Sequence, residues 1–191
     1  MSVAAPSPRA RHRRVVLVLG GLFLLPLVAA FGLYYGLGYR PSGHTNHGRL
    51  IEPARALPVS ASTRGSPVFH RVWSLVYVGA GCDAACEQTL YVMRQTHLGL
   101  NNDADRVQRV FIATGGVEDA PALAREPGLI VIDASSAQGA QLVRQFPAGE
   151  REHAIFIVDP LANLMMRFDS RADPKGLRED LQKLLRLSHV G

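Results

Sequence analysis

The sequence predicts an α/β fold, a central mixed sheet flanked by helices and preceded by one N-terminal transmembrane helix. An uncharged apolar run from Val15 to Tyr39 follows a cluster of arginines. Beyond it, short β-branched and aromatic runs alternate with longer amphipathic ones, as strands alternate with helices in sheet-centred folds. The last two short runs are joined only by Pro160-Leu161-Ala162-Asn163, which makes them a hairpin ahead of a final amphipathic helix.

Residues 1–14 form a basic cytoplasmic tail in this reading and residues 15–39 a transmembrane anchor. The apolar run is long enough for a helix crossing a hydrocarbon core, which needs about 20 residues. Tyr34, Tyr35 and Tyr39 crowd one end of it, as interfacial anchors do. Arg9, Arg11, Arg13 and Arg14 precede it, so the N-terminus is expected in the cytoplasm and everything after Tyr39 outside the inner membrane, in the periplasm. Pro26 is tolerated in a spanning helix and is expected to kink it. A cleaved signal peptide is the competing reading, since Val28-Ala29-Ala30 is an acceptable cleavage site. The run continues past that site, which favours a retained single-pass anchor. Both readings export the rest of the chain.

Of the 191 residues, 47% are hydrophobic and 19% charged, which fits one globular domain plus one apolar segment and excludes disorder. The formal net charge is +5, much of it in the arginines before the span. No basic stripe with interleaved aromatics follows, so nucleic acid is excluded as a partner.

Residues 40–67 are rich in Pro, Gly, Ser and Thr and are expected to be a linker and irregular lead-in, with a short strand or edge element around 44–51. Residues 68–191 are expected to be the exported domain. Within it, Val72 to Gly79 predicts a buried central strand. Asp83 to Leu98 predicts a helix with Leu90, Met93 and His97 on one stripe. Val107–Ala113 and Leu129–Asp133 predict strands, Gln138–Phe146 a helix, His153–Asp159 and Leu164–Phe168 the hairpin. Pro174-Lys175-Gly176 opens the last helix, which ends near Leu187. A hairpin followed by a last helix is how the C-terminal half of a thioredoxin-like domain is built.

The chain has two cysteines, Cys82 and Cys86. At i and i+4 they share a helix face, and with Cys82 in the turn before the helix their sulfurs can close a disulfide. A helix N-terminus lowers thiol pKa and favours thiolate, the form that attacks disulfides and binds soft metals. A merely stabilising disulfide is the alternative, but one that closes so short a loop restrains little unfolded-chain entropy. Two thiolates plus an imidazole suit Cu(I). The candidate histidines are His44, His47, His70, His97, His153 and His189. His153, at the start of the hairpin, is the best placed, against the alternative of an ordinary loop histidine. His97 falls three helical turns from Cys86, roughly 16 Å away, and cannot share the site. His44 and His47 are expected to be polar linker residues. Asp83 is expected to cap the helix, Trp73 to pack in the core, and of Met165 and Met166 at least one to be core, since strand neighbours face opposite ways. Zinc is disfavoured because no histidine pair has finger-like spacing.

The stretch Trp73-Ser-Leu-Val-Tyr-Val-Gly-Ala-Gly-Cys82-Asp-Ala-Ala-Cys86 resembles the Sco/SenC family of thioredoxin-like copper chaperones for cytochrome c oxidase. In that family a strand with Trp and Tyr leads into Cys-Pro-Asp-x-Cys and a helix. The run His153-Ala-Ile-Phe-Ile-Val-Asp159-Pro160 resembles its histidine-bearing strand. The phrases Asn46-His-Gly-Arg-Leu-Ile-Glu-Pro53 and Asp159-Pro-Leu-Ala-Asn-Leu-Met-Met-Arg-Phe168 resemble a Sco-like group of proteobacterial membrane proteins described as cytochrome oxidase-associated. The resemblance implies copper held by Cys82, Cys86 and His153, and an oxidase subunit with a copper site as partner. The chain departs from the pattern where Asp83 directly follows Cys82 without the Pro, where His153 lies about two residues closer to the Asp-Pro turn, and where Ala162-Asn163 replaces the turn Gly. Two other functions stay open: a thiol-disulfide oxidoreductase, with Cys82 attacking and Cys86 resolving, and a non-catalytic assembly factor.

Overall fold

The computed structural model describes residues 8–38, 45–58, 62–63, 66–115 and 121–188. The chain divides into two compact units, Met1–His44 and Thr45–Gly191. The first is helix α1 (Pro8–Phe31), with Pro26 inside it, continuing into a π-helical turn at Gly32–Gly36. Residues His12–Gly36 make the one candidate span among the described residues, 25 residues long and wholly exposed along its apolar window. A lone helix with this much exposed hydrocarbon is stable where lipid covers it.

The second unit is a six-stranded sheet in the order β1-β8-β7-β4-β5-β6. Its strands are β1 (Arg49–Ala56), β4 (Trp73–Gly79), β5 (Val107–Ala113), β6 (Leu129–Asp133), β7 (Ala154–Val158) and β8 (Asn163–Asp169). A separate two-stranded ladder joins β2 (Ser62–Thr63) to β3 (Ser66–Pro67). Helices α2 (Ala84–Leu98), α3 (Pro121–Ala124), α4 (Ala137–Gln145) and α5 (Pro174–Leu187) connect and cover the sheet. Strands β4, β5 and β6 run parallel, whereas β7 pairs antiparallel with both β4 and β8. The mixed sheet expected from the alternation of elements is therefore present.

Alternation along β4 divides the core into two layers. Trp73, Leu75 and Tyr77 face a cluster with Cys86, Leu90, Met93 and Leu181. Val76 and Val78 face the opposite cluster with Leu142, Phe146 and Phe69. Trp73 is a core residue, 4% exposed, as expected. Met166 is buried, and Met165 packs against the same cluster from its rim.

Strand β1 is longer than the short element expected around 44–51, and it occupies the sheet edge beside β8. Nearly all of its residues are exposed, so no apolar alternation marks it in the sequence. Beside its ladder to β8, a buried carboxylate fastens the residues that lead into it. Asp180 of α5, 4% exposed, accepts from the backbone N–H groups of His47 (2.8 Å) and Gly48 (2.7 Å), and its other oxygen lies 3.1 Å from His47 Nδ1. His47, expected to be a linker residue, is thus fastened to the last helix.

Candidate functional site

Strand β4 ends at Gly79, and the turn through Ala80 and Gly81 delivers Cys82 to the start of α2. Asp83 is the N-cap: its Oδ1 accepts from Cys86 N at 2.9 Å, which satisfies a first-turn donor and orients the helix on the turn. Cys82 and Cys86 are joined as a disulfide with Cα atoms 4.9 Å apart. The two sulfurs are not equivalent. Cys86 is fully buried, whereas Cys82 is half-buried at the edge of the same cluster.

The adjacent parallel strand shapes this turn. Thr114 N donates to Gly79 O at 2.8 Å, and Gly115 then passes directly under Ala80. A Cβ on Gly115 would collide with the Ala80 carbonyl oxygen.

Tyr77, two residues before the end of β4, stacks on Phe111 with centroids 5.7 Å apart. Burial raises its phenol pKa above the usual 10, and the charges of Asp83 and Glu152 push it the same way. Carboxylates on both sides of the turn therefore act on one phenol. The sequence marked this residue only as strand hydrophobe.

The strand register sets His153 at the same end of the sheet. Ser74, Leu75 and Val76 pair with Val158, Ile157 and Phe156, and three more steps in that register reach Gly79 opposite His153. His153 itself precedes β7 and takes φ 52°, a left-handed conformation in which histidine is enriched. It was expected inside the strand, where a period of two would govern its face; the left-handed turn removes it from that alternation. Its carbonyl accepts from Ser170 N at 2.7 Å, and its Nε2 lies 3.7 Å from Glu152 Oε1. Among the described residues, no three His, Cys, Asp or Glu side chains are gathered so that they could hold a metal ion.

The other histidines have separate surroundings. His97 Nε2 lies 2.9 Å from the carbonyl of Val107 and ties α2 to β5, away from the cysteines. His70 is exposed. His44 and His189 lie outside the described residues. At the hairpin turn, Ala162 rather than Asn163 takes the positive φ (65°), while Asn163 begins β8. Asp159 makes this possible by accepting from Leu161 N, Asn163 N and Asn163 Nδ2 at 2.8–2.9 Å.

Fold and site together define a thioredoxin-like domain with a Cys-x-x-x-Cys pair at a helix N-terminus. The family model described as transmembrane-like, thioredoxin-like, C-terminal domain matches residues 73–188, and the chain belongs to that family. Among solved structures, apo Sco1 of Thermus thermophilus aligns with TM-score 0.58 at 19% identity, covering 75% of this chain and 99% of that one. Yeast Sco1 with copper bound aligns at 0.55 and 14% identity, over 63% of this chain and 82% of its own. Arabidopsis thaliana ScoI with copper bound aligns at 0.51 and 16% identity, over 63% and 88%. The fold is therefore Sco-like. No curated protein matches the chain.

Proposed function

We propose that this chain is a membrane-anchored, Sco-like copper-binding protein that assists cytochrome c oxidase assembly, with its thioredoxin-like domain in the periplasm and its N-terminus in the cytoplasm. The observation that carries the reading is the Cys82–Cys86 pair, capped by Asp83 at the start of α2 in a Sco-like fold. Two electrons and two protons convert the disulfide to two thiols. The helix N-terminus favours their thiolate forms, which are soft donors for Cu(I). His153, at the same end of the sheet, is the proposed third ligand. Glu152 and His153 lie in the loop ahead of β7 rather than in the strand, so the strand's alternation does not fix the direction of the imidazole. Copper is the cargo, and the proposed recipient is an oxidase subunit with a copper site.

Burial of Cys86 under a half-exposed Cys82 also favours a second reading, a thiol-disulfide reductase for the cysteines of that subunit. There Cys82 forms the mixed disulfide and Cys86 resolves it.

Anaerobic Cu(I) titration of the reduced chain against a competing chelator separates the two. Copper binding predicts a one-to-one complex that is lost in Cys82→Ser and weakened about tenfold or more in His153→Ala. Failure of the reduced chain to compete with the chelator overturns the copper reading and leaves the reductase.

A further inference from the structure

Two buried hydroxyls join the helix that carries Cys86 to the loop that carries His153. Cys86, Thr89 and Met93 occupy one buried stripe of α2, at i, i+3 and i+7. Thr89 puts a hydroxyl into this stripe and is fully buried. Its Oγ1 donates to the carbonyl of Ala85 at 2.8 Å and lies 3.0 Å from Ser170 Oγ. A carbonyl can only accept, so the single Thr89 proton is committed to Ala85. The Ser170 hydroxyl is therefore the donor in the second bond. Ser170 is 3% exposed and follows the last residue of β8. Its backbone N–H donates to the carbonyl of His153 at 2.7 Å.

The Ala85–Cys86 peptide is held at both ends. Its N–H, on Cys86, reaches Asp83 Oδ1, and its carbonyl takes the Thr89 hydroxyl. A continuous series of contacts thus runs from the Asp83 cap, through the peptide before Cys86, to the backbone of His153. No sulfur atom takes part in it, so opening the disulfide breaks none of its bonds. A hydroxyl buried among apolar side chains costs stability unless it is satisfied. Valine fills a similar volume without that demand, so packing alone does not call for threonine here.

We propose that Thr89 and Ser170 are positioning residues for copper: their hydroxyl bridge holds the His153 backbone at a set distance from Cys86, in the oxidised and the reduced chain alike. This rests on the reading that Cys82, Cys86 and His153 bind Cu(I). Neither hydroxyl touches the ion. Their contribution is preorganisation, because a loop that is already ordered loses less freedom when its imidazole is engaged.

The test is a double-substitution cycle on Cu(I) affinity. It uses the reduced full chain in a neutral detergent, with a competing chelator. Thr89→Val removes the hydroxyl and keeps the shape, Thr89→Ser keeps the hydroxyl, and Ser170→Ala breaks the bridge from the other side. Urea midpoints identify the variants that fold, and either bridge-breaking variant suffices. The expected result is that Thr89→Val and Ser170→Ala each weaken copper binding about fivefold, whereas Thr89→Ser does not. On a His153→Ala background the same substitutions weaken it no further, because the group they position is gone. Weakening of equal size with and without His153, or none at all, overturns the positioning role and leaves the copper reading intact. Affinity that is unchanged in His153→Ala itself removes the third ligand, and the proposal with it. A reduced wild-type chain that does not compete with the chelator overturns the copper reading.

Discussion

The clearest single-residue consequence outside the cysteine turn concerns Asp169. Arg171 donates from Nε (3.0 Å), Nη2 (2.7 Å) and its backbone N (3.0 Å) to the Asp169 carboxylate. Chiefly through the side-chain bonds, this holds the Asp169 pKa at about 2 against a usual 3.8. A depressed carboxyl pKa stabilises the fold fully above the unfolded value and loses that contribution as pH falls through the folded one. Stability from this contact is thus present above pH 4 and lost toward pH 2. Asp169→Asn is expected to flatten the acid limb of the unfolding profile in that window, measured by urea titration at successive pH values. The size is modest, because the Asp169 side chain is 31% exposed. An unchanged acid limb would remove Asp169 from the account. At this scale the sequence was legible where chemistry depends on spacing. Cys82, Asp83 and Cys86 follow from three positions in one helical turn. The left-handed His153 does not, because its carbonyl is held by Ser170 from beyond β8; the Asp159 turn is local, but nothing in it says which of Ala162 and Asn163 takes the positive φ.

Elements were read well wherever a buried face repeated. Strands β4, β5 and β7, and helices α2 and α5, carry such faces and lie where their patterns place them. Strand β1 lacks one; it is held by its ladder to β8 and, just ahead of the strand, by a single side chain of α5 more than a hundred residues away. Asp180→Ala removes the acceptor for two backbone N–H groups, one of them buried, and for the His47 ring. The expected loss is about 2–3 kcal/mol of stability, since an orphaned buried donor costs more than the bond itself contributed. Urea midpoints check the magnitude, and amide exchange checks the place. Protection should fall first in 47–56, and a uniform loss across the sheet would show that Asp180 is not a local anchor of this edge.

At the scale of the whole chain, the proposed topology and the proposed redox role make a joint demand: on that proposal the cysteines lie on the side of the membrane where disulfides persist. After mild reduction, Cys82 in intact spheroplasts should react with a membrane-impermeant maleimide without lysis. Labelling only after lysis would invert the proposed topology. The order of layers was legible from alternation alone, because each strand–helix repeat buries one apolar face. The charged flank of α2 was not, because its residues become neighbours of Arg125 and Glu126 only once β5 and β6 are paired.

The contact between Gly115 and Ala80 has a hereditary consequence. Gly115 bears no reactive group, yet any side chain there would force the Ala80 carbonyl, and with it the approach to Cys82, to a new position. A lineage that preserves this turn has one letter available at position 115. A replacement at 115 would disturb the turn that leads to Cys82, and would do so in a place where inspection for reactive residues would find nothing.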